Sequence, residues 1–188
     1  MRRFQLAAMI VAITALCSPA TCQRLRYDSM QRGQHEFSII AGYGHNHEIP
    51  ESTKDHFSFD ILKARYGWFT SPRTELYTDL SVGNINRDDG NYALSASMNY
   101  RRFFAVRGST ALSYDLSFGF THFSDGMSSL GTKTNFTEQL GLTYFYATGH
   151  SSALSLGYTF SHTSNAGIKL PNLGINASLI SIGQTWYR

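Results

Sequence analysis

Cysteine is nearly absent from this chain: 188 residues hold Cys17 and Cys22 and no other. Both lie in or beside an amino-terminal export segment, so the mature chain has at most one thiol and no internal disulfide holds its fold. Neither cysteine follows a lipoprotein box, since Leu16 and Thr21 are poor preceding residues. No run of eighteen or more apolar residues occurs, which excludes a spanning helix. A basic stripe is missing too, and with a net charge of only +3 this excludes nucleic acid as a natural partner. Proline is scarce, at 4 residues, so little interrupts extended structure.

The amino terminus reads as a processing signal rather than as part of the fold. Arg2 and Arg3 are followed by an uncharged apolar run from Leu6 to Leu16, then by small residues at Ser18-Pro19-Ala20. That is the pattern of a secretory signal peptide, too short to span a bilayer. Residues 1–22 are therefore expected to be removed, with cleavage near 20–22, leaving 23–188 as one domain.

What is abundant is aromatic and small: 11 Tyr, 13 Phe and 16 Gly. The apolar residues alternate with small polar ones. Leu112, Tyr114, Leu116, Phe118 and Phe120 share one parity; Ser113, Asp115, Ser117, Gly119 and Thr121 share the other. The same pattern runs through Tyr92–Tyr100 and Leu154–Phe160. A period of two means strands. A soluble sandwich would show alternation as well. Here the polar face is small and uncharged, as a filled narrow barrel interior requires, and Tyr and Trp gather near strand ends as interfacial girdles do. With the export signal, this predicts an all-β fold: an eight-stranded antiparallel transmembrane β-barrel of the outer-membrane type. The strands are expected near 35–44, 56–69, 74–84, 91–105, 109–123, 133–147, 152–164 and 175–187. Both termini are expected on the periplasmic side and the 165–174 loop outside the cell. The terminal Trp186-Tyr187-Arg188 departs from the usual terminal aromatic of such barrels.

One segment carries chemistry. Strand seven continues its alternation so that Phe160, His162 and Ser164 share the apolar, lipid-facing side. Polar groups there are costly without a partner or a task. A histidine and a serine two apart on a strand stand side by side, with the imidazole able to act as base for the hydroxyl.

His162-Thr163-Ser164-Asn165-Ala166-Gly167, then Pro171-Asn172 and Gly174, resembles the PagL-type lipid A 3-O-deacylases, whose hallmark is a His-x-Ser-Asn core followed by a Pro-Asn-x-Gly turn. The resemblance is specific over about 162–176; elsewhere it rests on length, signal peptide and strand count. It implies hydrolysis of the ester-linked acyl chain at lipid A position 3, with Ser164 as nucleophile and His162 as general base, no cofactor and no metal. Lipid A or lipopolysaccharide would be the substrate, met at the extracellular leaflet of a Gram-negative outer membrane. The acidic residue that orients the histidine in the family pattern falls two positions after Gly174, where this chain has Asn176. An asparagine fixes a tautomer but brings no charge.

Glu138 interrupts the lipid-facing stripe Phe136, Leu140, Leu142, Tyr144 on strand six, and a tight turn at Gly149-His150 would set it opposite His162. It is a second candidate for the acid. Oxyanion donors are expected among the Asn165–Gly167 amides and the Asn172 side chain, with Gly167 and Gly174 letting the loop fold back closely.

Other clusters read as ordinary. His45 and His47 share a face, but a third metal ligand is lacking and a rim loop is the better reading. His122 reads as a rim residue, Asp60, Lys63, Arg65 and Asp79 as lumen or rim networks, and Asp88-Asp89-Gly90 as a turn. The rival functions are a non-enzymatic small barrel, adhesive or structural, and a lipid acyltransferase.

Overall fold

A computed structural model describes residues 24–47, 56–86 and 90–188. The expected signal segment, Asp88, Asp89 and the end of the His45–Glu48 motif lie outside the described residues. Eight strands follow in order: β1 His35–His47, β2 Ser58–Ser71, β3 Thr74–Asn86, β4 Tyr92–Arg107, β5 Thr110–Phe123, β6 Thr134–Ala147, β7 Ser152–Ser164 and β8 Ile175–Tyr187. Each pairs antiparallel with its neighbour, and β1 pairs with β8, so the sheet closes into a barrel without a free edge. The expected all-β, eight-stranded fold is the one observed.

The exterior is apolar. Leu80, Leu94, Met98, Phe118, Leu140, Leu156 and Ile180 are exposed, while Ser113, Asp115, Thr121, Asn135 and Thr163 are buried. This inversion suits a wall facing hydrocarbon, where every backbone group is satisfied within the sheet.

The interior is not uncharged, as the small polar face suggested: Asp115 of β5 points inward and belongs to a network of buried charges. Arg101, fully buried, reaches Glu36 and Glu75 at 2.9 Å each and Asp115 at 2.7 Å. One level further from the termini, Asp79 binds Arg65 at 2.8 Å and Lys63 at 3.1 Å. Asp60 stays out of this network and accepts from Asn86 at the rim. Charges of both signs inside a narrow barrel satisfy one another only as a connected set.

Apolar layers close both ends of the lumen. At the end carrying the termini, a 3-10 turn at Tyr27–Ser29 drops Tyr27 and Met30 onto Phe69, Phe103, Phe145 and Tyr187. The Leu25 and Tyr27 amides donate to the Gly149 and Gly108 carbonyls in the short turns at this end. At the far end, Met127 and Leu130 of the β5–β6 loop pack on Phe57, Ile85, Phe123 and Ile175. With both ends of the lumen closed by these layers, chemistry on a large lipid has the outer wall and the far rim as its places.

Candidate active site on the outer wall

Strand register assembles the site. His162 on β7 lies opposite Asn176 on β8 and opposite Glu138 on β6. His47 on β1 is opposite Asn176, and Phe118 on β5 is opposite Glu138. One row across five strands thus reads His47, Asn176, His162, Glu138, Phe118, all on the outward parity. Neighbouring strands are about 4.8 Å apart, so these side chains stand shoulder to shoulder.

Within the row, the His162 Nδ1–H donates to the Asn176 Oδ1 at 2.8 Å. An amide oxygen only accepts, so Nδ1 carries the ring proton and Nε2 keeps its lone pair. The family position that departs from an acid is therefore still the residue that orients the imidazole. Glu138 faces the same ring from the other side. It is exposed and makes no hydrogen bond or ion pair among the described residues. Ser164 follows His162 by two residues on the same face. No hydrogen bond joins the two among the described residues, a looseness usual in substrate-free sites.

Gly174 sets the ring from above. Its φ is +72°, and a Cβ there would stand 2.7 Å from His162 Cε1. Glycine is needed both for the left-handed backbone and for contact with the imidazole face.

The loop 165–174 is held by Asn165, which is 1% exposed. Its Nδ2 donates to the Lys169 carbonyl at 2.6 Å, and its Oδ1 accepts from the Gly167 amide at 3.0 Å. Its own amide donates to the Asn172 Oδ1 at 2.9 Å. The Asn165 and Gly167 amides, two of the expected oxyanion donors, are thus committed to the loop. The Ala166 amide, in a residue with φ of 53°, and the Asn172 Nδ2 have no partner among the described residues.

A second serine–histidine contact lies on the same wall. Ser178, two residues after Asn176, hydrogen-bonds His47 Nε2 at 2.6 Å and the Tyr158 hydroxyl at 2.7 Å. It is 6% exposed, whereas Ser164 is half-buried, so Ser164 is the more open of the two hydroxyls. Sequence reasoning missed this trio, because it joins strands across the β1–β8 closure. His45 stacks edge-on against His47 at 4.5 Å between ring centroids. His122 bonds Thr134 on the outward face at 2.9 Å, as a rim residue.

Comparisons with known proteins agree with this fold. The crystal structure of the outer membrane enzyme PagL superposes with a TM-score of 0.57 at 22% identity, over 79% of this chain and 97% of that one. Neisserial surface protein A superposes with a TM-score of 0.67 at 10% identity, over 82% and 98%. The amino-terminal barrel of OprF from Pseudomonas aeruginosa gives 0.53 at 11%, over 82% and 98%. At these identities the structures speak for the fold, that of an outer-membrane barrel. None of the curated proteins searched matches the chain. The sequence model described as "Lipid A 3-O-deacylase (PagL)" matches residues 56–185, most of the chain and all of the His162–Asn176 segment, and the protein belongs to that family.

Proposed function

We propose that this barrel is an outer-membrane esterase that hydrolyses the acyl ester at the 3-O position of lipid A, with Ser164 as nucleophile and His162 as base. The observation that carries the reading is the His162–Asn176 hydrogen bond, which leaves Nε2 basic on a lipid-facing wall beside the open hydroxyl of Ser164. Membership of the lipid A deacylase family supports the substrate class.

In this mechanism Ser164 Oγ attacks the acyl carbonyl while His162 Nε2 takes its proton. The Asn172 Nδ2 and the Ala166 amide donate to the developing oxyanion. The imidazolium returns its proton to the departing sugar oxygen, leaving an acyl-enzyme. Water, deprotonated by His162, releases the hydroxy fatty acid and restores Ser164. Asn176 fixes the tautomer throughout. Glu138, across the strand pair from the imidazole, supplies the negative charge that Asn176 does not; at a lipid boundary such a charge is weakly screened.

The orientation belongs to the same proposal. Short turns at 72–73, 108–109 and 148–151 lie at the end with the termini, and the longer loops lie at the other. Short turns are periplasmic in such barrels. The site then stands at the extracellular leaflet, where lipopolysaccharide meets it from the side.

The test is mass spectrometry of lipid A from cells expressing the wild type, Ser164→Ala or His162→Ala. Loss of one hydroxyacyl mass is expected with the wild type only. Unaltered lipid A in all three would refute the reading.

A further inference from the structure

The loop after the candidate nucleophile carries bare aliphatic side chains. Ile168 is 73% exposed, Leu170 83% and Leu173 50%. Loops at a barrel rim that meet water are ordinarily polar. These side chains are presented on a fastened backbone. The Gly131 amide donates to the Pro171 carbonyl at 2.6 Å, and the Leu173 amide to the Ser129 carbonyl at 3.0 Å. Leu130 and Asn172 form a bridge, and Asn165 ties the turn from within. The inner side of the loop is thus taken by residues 129–131, themselves seated on the apolar cap of the lumen through Leu130. The aliphatic side is left facing outward.

That side continues the lipid-facing wall. Gly174, next to Leu173, lies against the His162 ring. Beyond Glu138 the outward row continues into Phe118, and the levels on either side hold Phe136, Phe120 and Leu140. Apolar surface therefore flanks the site on the levels above and below, interrupted within the row by Glu138, and continues up the loop. Lys169, between Ile168 and Leu170 in the chain, is exposed, and a lysine's flexible stem can lie in hydrocarbon while its ammonium reaches a phosphate at the interface.

We propose that residues 168–173 are inserted in the acyl layer of the leaflet around the far rim, forming a shoulder that holds the acyl chain being cut against the wall beside His162. Insertion rests only on the barrel. The role in holding the chain rests on the esterase reading above. The occupant is lipid hydrocarbon, selected by three aliphatic side chains in continuity with a wall already facing it.

The test places a nitroxide on Leu170→Cys in the full barrel, reconstituted in phosphatidylcholine vesicles, with Cys22 replaced by serine where it is retained. Collision with oxygen, which concentrates in hydrocarbon, is compared with collision by a water-soluble nickel chelate. Leu142→Cys serves as the wall reference and Asp125→Cys, in the polar β5–β6 loop, as the water reference. A Leu170 profile like that of Leu142 is expected; one like that of Asp125 overturns insertion. Separately, Ile168→Asp with Leu170→Asp is expected to raise KM for lipid A in vesicles about tenfold, and an unchanged KM overturns the holding role. A wild type that releases no acyl chain removes the esterase reading and with it the holding role, while the nitroxide profile still decides insertion.

Discussion

Replacing Gly174 by alanine isolates what positions the base. The new methyl would stand 2.7 Å from His162 Cε1, 3.4 Å from Nε2 and 3.6 Å from Nδ1. A carbon–carbon contact is comfortable from about 3.5 Å, so the ring must retreat by roughly 0.8 Å or the loop must lift by as much. Either movement stretches the 2.8 Å bond to Asn176 and shifts Nε2 relative to Ser164. A displacement of about 1 Å at a reacting group costs about 100-fold in rate. The same substitution also strains the backbone, because alanine at positive φ costs about 1–2 kcal/mol. Gly167→Ala separates the two effects: its φ is +77°, yet nothing lies within 4 Å of the new methyl. The measurement is release of hydroxy fatty acid from lipid A in mixed micelles, with folding of each variant checked by its heat-dependent shift in gel mobility. Gly174→Ala is expected to lose about 100-fold in kcat while Gly167→Ala keeps most of the wild-type rate. Equal losses in both would refute the argument that the methyl acts through the imidazole, and so would a Gly174→Ala enzyme of near-normal kcat.

Further perturbations address the remaining groups. Asn176→Asp puts a carboxylate where the amide oxygen now accepts, and the stronger charge-assisted bond is expected to raise kcat by roughly tenfold; a slower variant would contradict the orienting role. Glu138→Gln is expected to lower kcat several-fold with KM unchanged, and to do so much less in the Asn176→Asp background, where the imidazolium already has a counter-charge; equal effects in the two backgrounds would show that Glu138 does not share this task. Asn165→Ala removes the side chain that ties the loop to itself and is expected to expose residues 165–174 to protease in detergent, with resistance at the wild-type level counting against its role. Arg101→Met strands three buried carboxylates and is expected to destabilise the barrel by about 3–5 kcal/mol, read as a lower temperature for the gel-mobility transition.

Much of this was legible because the barrel reverses the soluble pattern. Alternation of large apolar and small polar residues placed all eight strands. The largest boundary difference is at β1, expected to end at residue 44 and observed to run to His47. There the pattern fades into Gly44-His45-Asn46-His47, whose pairing with β8 comes from barrel closure rather than from local alternation. The same reason hid the His47–Ser178–Tyr158 trio: no turn joins β1 to β8, so nothing local sets their register. The opposition of Glu138 and His162 was readable, because one tight turn after β6 fixes it. The Arg101 hub carried a faint signal, since Tyr100 points outward and its neighbour must point in. Its partners Glu75 and Asp115 stand directly opposite it on the neighbouring strands β3 and β5, and only Glu36 of β1 is brought in by closure.

The polar groups on the lipid-facing side of the upper wall sort themselves by whether they are satisfied. His162 has Asn176, Ser178 has His47 and Tyr158, and His122 has Thr134. Against hydrocarbon an unsatisfied polar group is expensive, so these pairings are what a stable wall requires. Among the described strand residues around His162, two outward side chains make no such pairing: the hydroxyl of Ser164 and the carboxylate of Glu138. Both flank the same imidazole, one along β7 and one across to β6. A nucleophile must keep its oxygen open to a carbonyl, and a counter-charge is needed only when the ring becomes imidazolium. The two groups that stability leaves unpaired are the two whose partners, on the proposed mechanism, arrive with the substrate and the transition state.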